Sequence, residues 1–140
     1  MKIIRGRGVI GGVAKGEALV TSEPFGFFGG VNPATGIVID KRHALYGQSM
    51  KGKVFVYPEG RGSTVGAAII LELARTGCAP AAIINISIET ITAAGGLLAQ
   101  KLYGRGIPMI DRPDRNPIEE IETGATVEVD GSSGKISIYN

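Results

Sequence analysis

The sequence predicts an α/β protein of one domain, with a β-rich first half followed by alternating helix and strand. Three observations carry that expectation. Residues 1–58 hold short apolar runs cut by Gly and Pro, the punctuation of small sheets. From residue 63 the apolar period lengthens to that of a helix, and helical stretches alternate with short buried runs. The chain has 140 residues, enough for a single sizeable core.

The elements follow in order. "KIIRGRGVI", "GEALV" and "GIVID" read as strands, and "KGKVFVYP" as another ending at Pro58. "STVGAAIILELARTG" places Ala67, Ile70, Leu71 and Ala74 on one helix face, with Gly77 as the stop. "AAIINI" is a buried strand. "ETITAAGGLLAQKLYG" is a second helix whose apolar face would carry Ile91, Ala94, Leu98 and Leu102. "IPMID" is a short buried strand, and "PIEEIETG" reads as a solvated segment. In the tail, Val127 and Val129 alternate against Ile136 and Ile138 around a Gly-Ser turn, which predicts a hairpin. A sheet region packed on an α/β layer is the economical assembly.

Composition excludes several functions. The net charge of +2, with no cluster of Lys and Arg, argues against a nucleic-acid partner. No apolar window reaches the ~18 residues of a membrane span, and the N-terminus lacks a signal-peptide core, so a cytoplasmic protein is expected. The one cysteine, Cys78, excludes an internal disulfide and any metal site built from several cysteines of this chain; it reads as a small buried hydrophobe. With 22 glycines the chain far exceeds the usual ~7%, and their places between strand-like runs mark tight turns and close backbone approaches.

Two stretches invite chemistry. Residues 21–36, "TSEPFGFFGGVNPATG", form a long Gly/Pro-rich loop holding Phe25, Phe27 and Phe28. Such a loop either packs on its own domain or is completed by another subunit or a ligand. The second is "PEGRGSTVG", a glycine-rich turn entering a helix, where unpaired N–H groups and the helix dipole favour an anion or a serine oxyanion at Ser63 or Thr64. It is neither a Walker A loop nor a G-x-S-x-G elbow. Ser63 as a plain N-cap is the bland alternative; Arg61 beside it favours an anion. His43, flanked by Asp40 and Arg42, is the one histidine and has no partners in the sequence that would make it catalytic.

"GGVNPATG", "HALYGQS", "GRGST" and "GCAPAAII", in this order and over nearly the whole chain, resemble the small, swivel-domain subunit of the aconitase X family. The resemblance implies a swivelling β/β/α domain like the mobile domain of aconitase, closing over a larger subunit. That subunit would hold an iron–sulfur cluster, of the [4Fe-4S] type, whose iron acts as Lewis acid on the departing hydroxyl; this chain would bind no metal and be active only in the complex. Ser63 would be the base that removes a proton from carbon, with Arg61, Gly62, Thr64, Gly29, Gly30 and Asn32 around the substrate. The loop at residues 25–36 and the Ser63 turn would share the face that meets the large subunit. For the archaeal branch the implied reaction is dehydration of (R)-5-phosphomevalonate to trans-anhydromevalonate 5-phosphate. Dehydration of cis-3-hydroxy-L-proline is the alternative within the family. A phosphoryl-carrier or anion-binding module using His43 is the alternative outside it.

Overall fold

The computed structural model describes residues 1–61 and 63–139. Among these residues the first half forms β1 (Lys2–Arg5), β2 (Arg7–Ile10), β3 (Val13–Val20), β4 (Val31–Asn32), β5 (Ile37–Val38) and β6 (Val54–Val56). The second half forms α1 (Thr64–Thr76), β7 (Ala82–Ile84), α2 (Thr90–Tyr103), β8 (Met109–Asp111), α3 (Pro117–Glu120), β9 (Thr126–Asp130) and β10 (Lys135–Tyr139). Eight strands form one sheet in the order β1-β10-β9-β3-β6-β7-β8-β2, and β4 and β5 pair apart from it.

Gly6 explains how that sheet nearly closes. It divides the first apolar run into β1, which pairs antiparallel with β10, and β2, which pairs antiparallel with β8, so nine consecutive residues supply both edges. The crossing is tight. A Cβ on Gly6 would lie 2.7 Å from the Asp111 carbonyl oxygen, and one on Gly134 would lie 2.1 Å from the Gly6 oxygen. The Gly6 N–H donates to the Gly134 carbonyl at 2.8 Å across this seam. Nothing larger than glycine fits there.

The central strands β3, β6, β7 and β8 run parallel; both faces of β6, β7 and β8 are buried, and β3 is buried at Ala18 and Leu19. Their period-two alternation feeds two cores. Ala18, Val54, Val56, Ala82, Ile84 and Ile110 point inside the curled sheet, where Val127, Val129, Ile136 and Ile138 of the hairpin meet them. The hairpin forms in the expected register, with Val127 opposite Ile138 and Val129 opposite Ile136. Leu19, Phe55, Ile83 and Met109 point outward onto Ile70 and Leu73 of α1.

The helices depart from the sequence reading in which face they bury. On α2 the buried residues are Thr92, Gly95, Gly96 and Ala99, while Ala94, Leu98 and Leu102 are exposed and Ile91 is half-buried. Close approach decides this. A Cβ at Gly95 would come within 3.0 Å of Ile70 Cβ and 3.2 Å of Ala67 Cα, so the small residues of α2 lie against α1 and its leucines face outward. On α1, Leu73 takes the buried place expected of Leu71, beside Ile70 and Ala74. Gly77 ends the helix as expected, at a φ of 75°. The segment read as solvated is a short helix, α3, followed by a fully buried Ile121 that closes the inner core, and Glu120 pairs with Lys2 at 2.6 Å. Cys78 is buried, as expected. Among the described residues no helix is long and apolar enough to cross a membrane.

Candidate functional site

Because β6 and β7 are parallel and each leads into a helix, the starts of α1 and α2 lie at the same end of the sheet. Ligands of open α/β sheets bind at this carboxyl end. The connection from β6 to α1 carries Arg61 and Ser63, and it is held from both sides. The Phe25 N–H donates to the Glu59 carbonyl and the Arg61 N–H to the Phe25 carbonyl, both at 3.1 Å. Opposite, the N–H groups of Ile86 and Ser87 converge on the Pro58 carbonyl at 2.9 and 3.2 Å. Gly60 rests against Glu89, where an added Cβ would sit 2.9 Å from Glu89 Cγ.

The two helix starts differ in how they are finished. The Glu89 carboxylate caps α2, accepting from the N–H groups of Thr92 at 2.7 Å and Ile91 at 2.8 Å, and from the Thr92 hydroxyl. Ser63 holds the N-cap place of α1 with extended backbone, φ −144° and ψ 134°, yet its side chain makes no capping hydrogen bond. Its carbonyl accepts the Gly66 N–H at 2.8 Å, and among the described residues its hydroxyl has no hydrogen-bond partner at the positive end of the helix. Beneath the turn, burial drives the Tyr57 hydroxyl far above its ordinary pKa, and the neighbouring Asn85 and Thr92 offset this only in part. Tyr57 is therefore a neutral support, not a base.

Ser63 opens into a cleft of about 380 Å³ that it shares with Arg61, Gly29 and Gly30. The structure thus gathers four of the residues singled out from the sequence. Gly29 has a φ of 76°, which needs glycine, and at Gly30 a Cβ would meet the Gly26 carbonyl oxygen at 2.0 Å. Asp40, Arg42, Gly26 and Phe28 complete the lining, and the sequence reading had not placed them there. A second depression of about 270 Å³ shares Asp40, Arg42 and Arg61 and continues to Glu23 and His43. A larger hollow of about 610 Å³ lies beside α3, lined by Glu119, Glu120, Glu122, Lys2 and Thr123, and it contains none of the site residues singled out from the sequence.

Other expected site residues fall elsewhere. Thr64 begins α1 and is exposed, outside the cleft lining. Gly62 lies outside the described residues. Asn32 shapes its own loop, its side-chain oxygen accepting the Ala34 N–H at 2.9 Å. The adjoining Pro33 carbonyl accepts the Thr76 hydroxyl at 2.7 Å, which ties this loop to the far end of α1. That helix of 13 residues is about 20 Å long, so the Asn32 loop is anchored away from Ser63.

Of the two outcomes open to the aromatic loop, Phe25 and Phe27 take the first and pack on their own domain. Phe25 and Phe27 are buried, and the Phe25 ring stands edge-on to Phe27, Phe55 and His43 at 5.1, 5.1 and 5.4 Å. Phe28 alone of the three is exposed, at 61%. His43 is locked by the same packing: its Nδ1 accepts the Leu45 N–H at 3.1 Å, so Nε2 carries the proton and donates to the Pro24 carbonyl at 3.1 Å. Both ring nitrogens are thus engaged by backbone of the same domain.

Among the described residues no group of three or more His, Cys, Asp or Glu side chains is arranged to hold a metal ion. The Cys78 thiol points at the Ala34 carbonyl, 3.4 Å away.

A nearly closed sheet flanked by two helices, one of which starts at Ser63 with no side-chain cap, defines a β/β/α domain. The aconitase X swivel domain profile matches residues 3–138, and the chain belongs to that family. It is 49% identical to the phosphomevalonate dehydratase small subunit of Methanocella arvoryzae, over 96% of this chain and 98% of that one. The protein of the same name from Methanocaldococcus jannaschii is 45% identical over 98% of each. The crystal structure of Thermococcus kodakaraensis aconitase X in its holo-form superposes with a TM-score of 0.90 at 41% identity, covering both chains completely.

Proposed function

We propose that this chain is the small subunit of a heteromeric hydro-lyase that dehydrates (R)-5-phosphomevalonate to trans-anhydromevalonate 5-phosphate, and that it works only with a large subunit. The observation that carries the reading is the uncommitted Ser63 hydroxyl at the open start of α1, facing a cleft with Arg61, Gly29 and Gly30. The names of its similar proteins supply the reaction.

The chemistry assigned to this chain is proton abstraction. The Ser63 oxyanion takes the proton from the carbon next to the substrate carboxylate; the electron pair released forms the double bond as hydroxide departs from the neighbouring carbon, and the proton taken up by Ser63 balances that hydroxide as one water over the turnover. An alkoxide is a strong base that water would protonate, so it needs fixed dipoles, which the unpaired N–H groups of the first turn of α1 provide. Arg61 holds the carboxylate by charge-assisted hydrogen bonds, and Gly29 and Gly30 let backbone approach the substrate. The iron–sulfur cluster belongs in this proposal to the large subunit, because one buried thiol, with no group of three or more His, Cys, Asp or Glu side chains among the described residues, does not fit it here.

The test is anaerobic co-expression with the large subunit, followed by assay on (R)-5-phosphomevalonate and on cis-3-hydroxy-L-proline. Turnover of the phosphorylated substrate by the complex, and none by the isolated chain, is expected. Turnover of hydroxyproline alone would move the assignment to the other branch, and activity of the isolated chain would refute the division of labour.

A further inference from the structure

The hollows on either side of Arg61 share three residues, Asp40, Arg42 and Arg61, and so form one trough with Ser63 at one end and Glu23 and His43 toward the other. We infer that Arg42 is a second anion subsite in this trough, binding the phosphate of the substrate while Arg61 binds its carboxylate. The inference rests on the proposed function.

The hydrogen-bonding capacity of the trough decides what it can hold. Its carboxylates are committed locally: Asp40 Oδ1 accepts the Arg42 N–H at 3.0 Å, and Glu23 Oε1 faces the Ala44 N–H at 3.4 Å. His43 is occupied at both nitrogens. The two guanidinium groups remain. Arg42 Nε lies 3.8 Å from Asp40 Oδ1, too far for a hydrogen bond, and the Arg42 side chain is 95% exposed. Among the described residues Arg61 has no ion-pair partner, and it too is exposed.

Two planar cations along one trough fit a ligand with an anion at each end. Phosphomevalonate is such a ligand. Its reacting carbon adjoins the carboxylate, which suits Arg61 beside Ser63, and its phosphate lies further along the chain, toward Arg42. Hydroxyproline offers one carboxylate, with its ring ammonium on the carbon beside it, and no second anion further along to meet Arg42. Arg42 thereby separates the two substrates by attraction to the phosphate that only one of them carries. A guanidinium fork grips phosphate through two parallel N–H bonds, a geometry lysine lacks.

The experiment compares the wild-type complex with Arg42→Ala and Arg42→Lys. Arg42→Ala should raise KM for (R)-5-phosphomevalonate by roughly 10–100-fold, the worth of hydrogen bonds between charged groups, with a smaller fall in kcat. Arg42→Lys should recover part of the loss. Inhibition by methyl phosphate should vanish in Arg42→Ala while inhibition by unphosphorylated mevalonate persists. An unchanged KM, or equal weakening of phosphorylated and unphosphorylated ligands, overturns the subsite. If the wild-type complex fails to turn over phosphomevalonate, the proposed function falls, and calorimetry with methyl phosphate decides Arg42 separately. Binding to wild type and not to Arg42→Ala supports it; equal binding, or none, overturns it.

Discussion

Ser63 and Glu89 hold the same position at the starts of neighbouring helices, and only Glu89 caps its helix. The difference is chemical. A carboxylate satisfies the N–H groups of α2 and cancels its positive end, so no anion will settle there. The serine leaves α1 unsatisfied, and that end keeps its attraction for negative charge. Of two helix starts at one end of the sheet, one is closed by a carboxylate and the other is left without a side-chain cap.

Gly60 joins the two. Its contact with Glu89 is so close that an added Cβ would lie 3.0 Å from Glu89 Oε1 and 3.2 Å from Thr92 Oγ1. Gly60→Ala should push the turn off the α2 cap and displace Ser63, so kcat of the complex should fall more steeply than the melting temperature. Glu89→Ala should by itself cost about 0.5–2 kcal/mol as a lost cap. Combined with Gly60→Ala it should restore part of the turnover, because it removes the obstructing side chain. Kinetics and thermal melts of the two single variants and the double variant check this; a double variant no better than Gly60→Ala would show that the contact does not set the turn.

Asp111, fully buried at the end of β8, receives two hydrogen bonds from Arg7 at 2.8 and 2.9 Å and the Ile88 N–H at 3.0 Å. Burial alone would raise its pKa; the Arg7 bonds, the Ile88 N–H and the charges of Arg7 and Arg112 outweigh it and hold the carboxyl below its usual range. A carboxyl with a lowered pKa in the folded state stabilises above the unfolded value, about 3.9, and that stability is lost as pH falls through the folded value. Asp111→Asn should therefore melt lower than wild type at neutral pH, with the gap closing in acid below about pH 4. Melting curves of both proteins across that range measure it, and a gap independent of pH would contradict the account.

Phe27 and Phe28 are adjacent in sequence and opposite in fate. Phe27→Ser should cost about 3–5 kcal/mol, as large-to-small core changes do, because its ring packs on Phe25 in the outer core. Phe28→Ser should leave stability nearly unchanged and weaken association with the large subunit, since Phe28 is an exposed aromatic beside the cleft. Chemical denaturation and a binding titration separate the two. Equal affinity of Phe28→Ser and wild type for the large subunit would remove Phe28 from the interface.

That contrast shows where the sequence was legible. Patterns that depend on local alternation came through: the Val127–Ile138 and Val129–Ile136 pairs, the Gly77 stop and the buried central strands all follow from side-chain period. What depends on distant surfaces did not. Nothing within residues 2–10 says that β1 and β2 go to opposite sheet edges, because Gly6 is chosen by Asp111 and Gly134. The face of α2 was misread because hydrophobicity marks its leucines, whereas close helix packing selects Gly95 and Ala99. Ser63 and Arg61 stood out through local turn chemistry, but Arg42 enters the cleft from a turn 19 residues earlier than Arg61, a separation no motif records.

The decisive variant is Ser63→Ala. A capping serine replaced by alanine usually costs about 0.5–2 kcal/mol, but that cost arises from a lost side-chain bond, and Ser63 makes none to its helix. The variant should therefore melt close to wild type and assemble normally. Removal of a positioned base should lower kcat by ~10²–10⁴, and if the hydroxyl acts only on the reacting proton, KM should change little. Arg61→Ala should show the reverse pattern, with KM rising more than kcat falls, because it loses an anion contact and keeps the base. Steady-state kinetics of the two variant complexes beside their melting curves distinguish the roles. Near-normal kcat in Ser63→Ala would reduce the turn to scaffolding, and a markedly lowered melting temperature with activity intact would make Ser63 a cap after all.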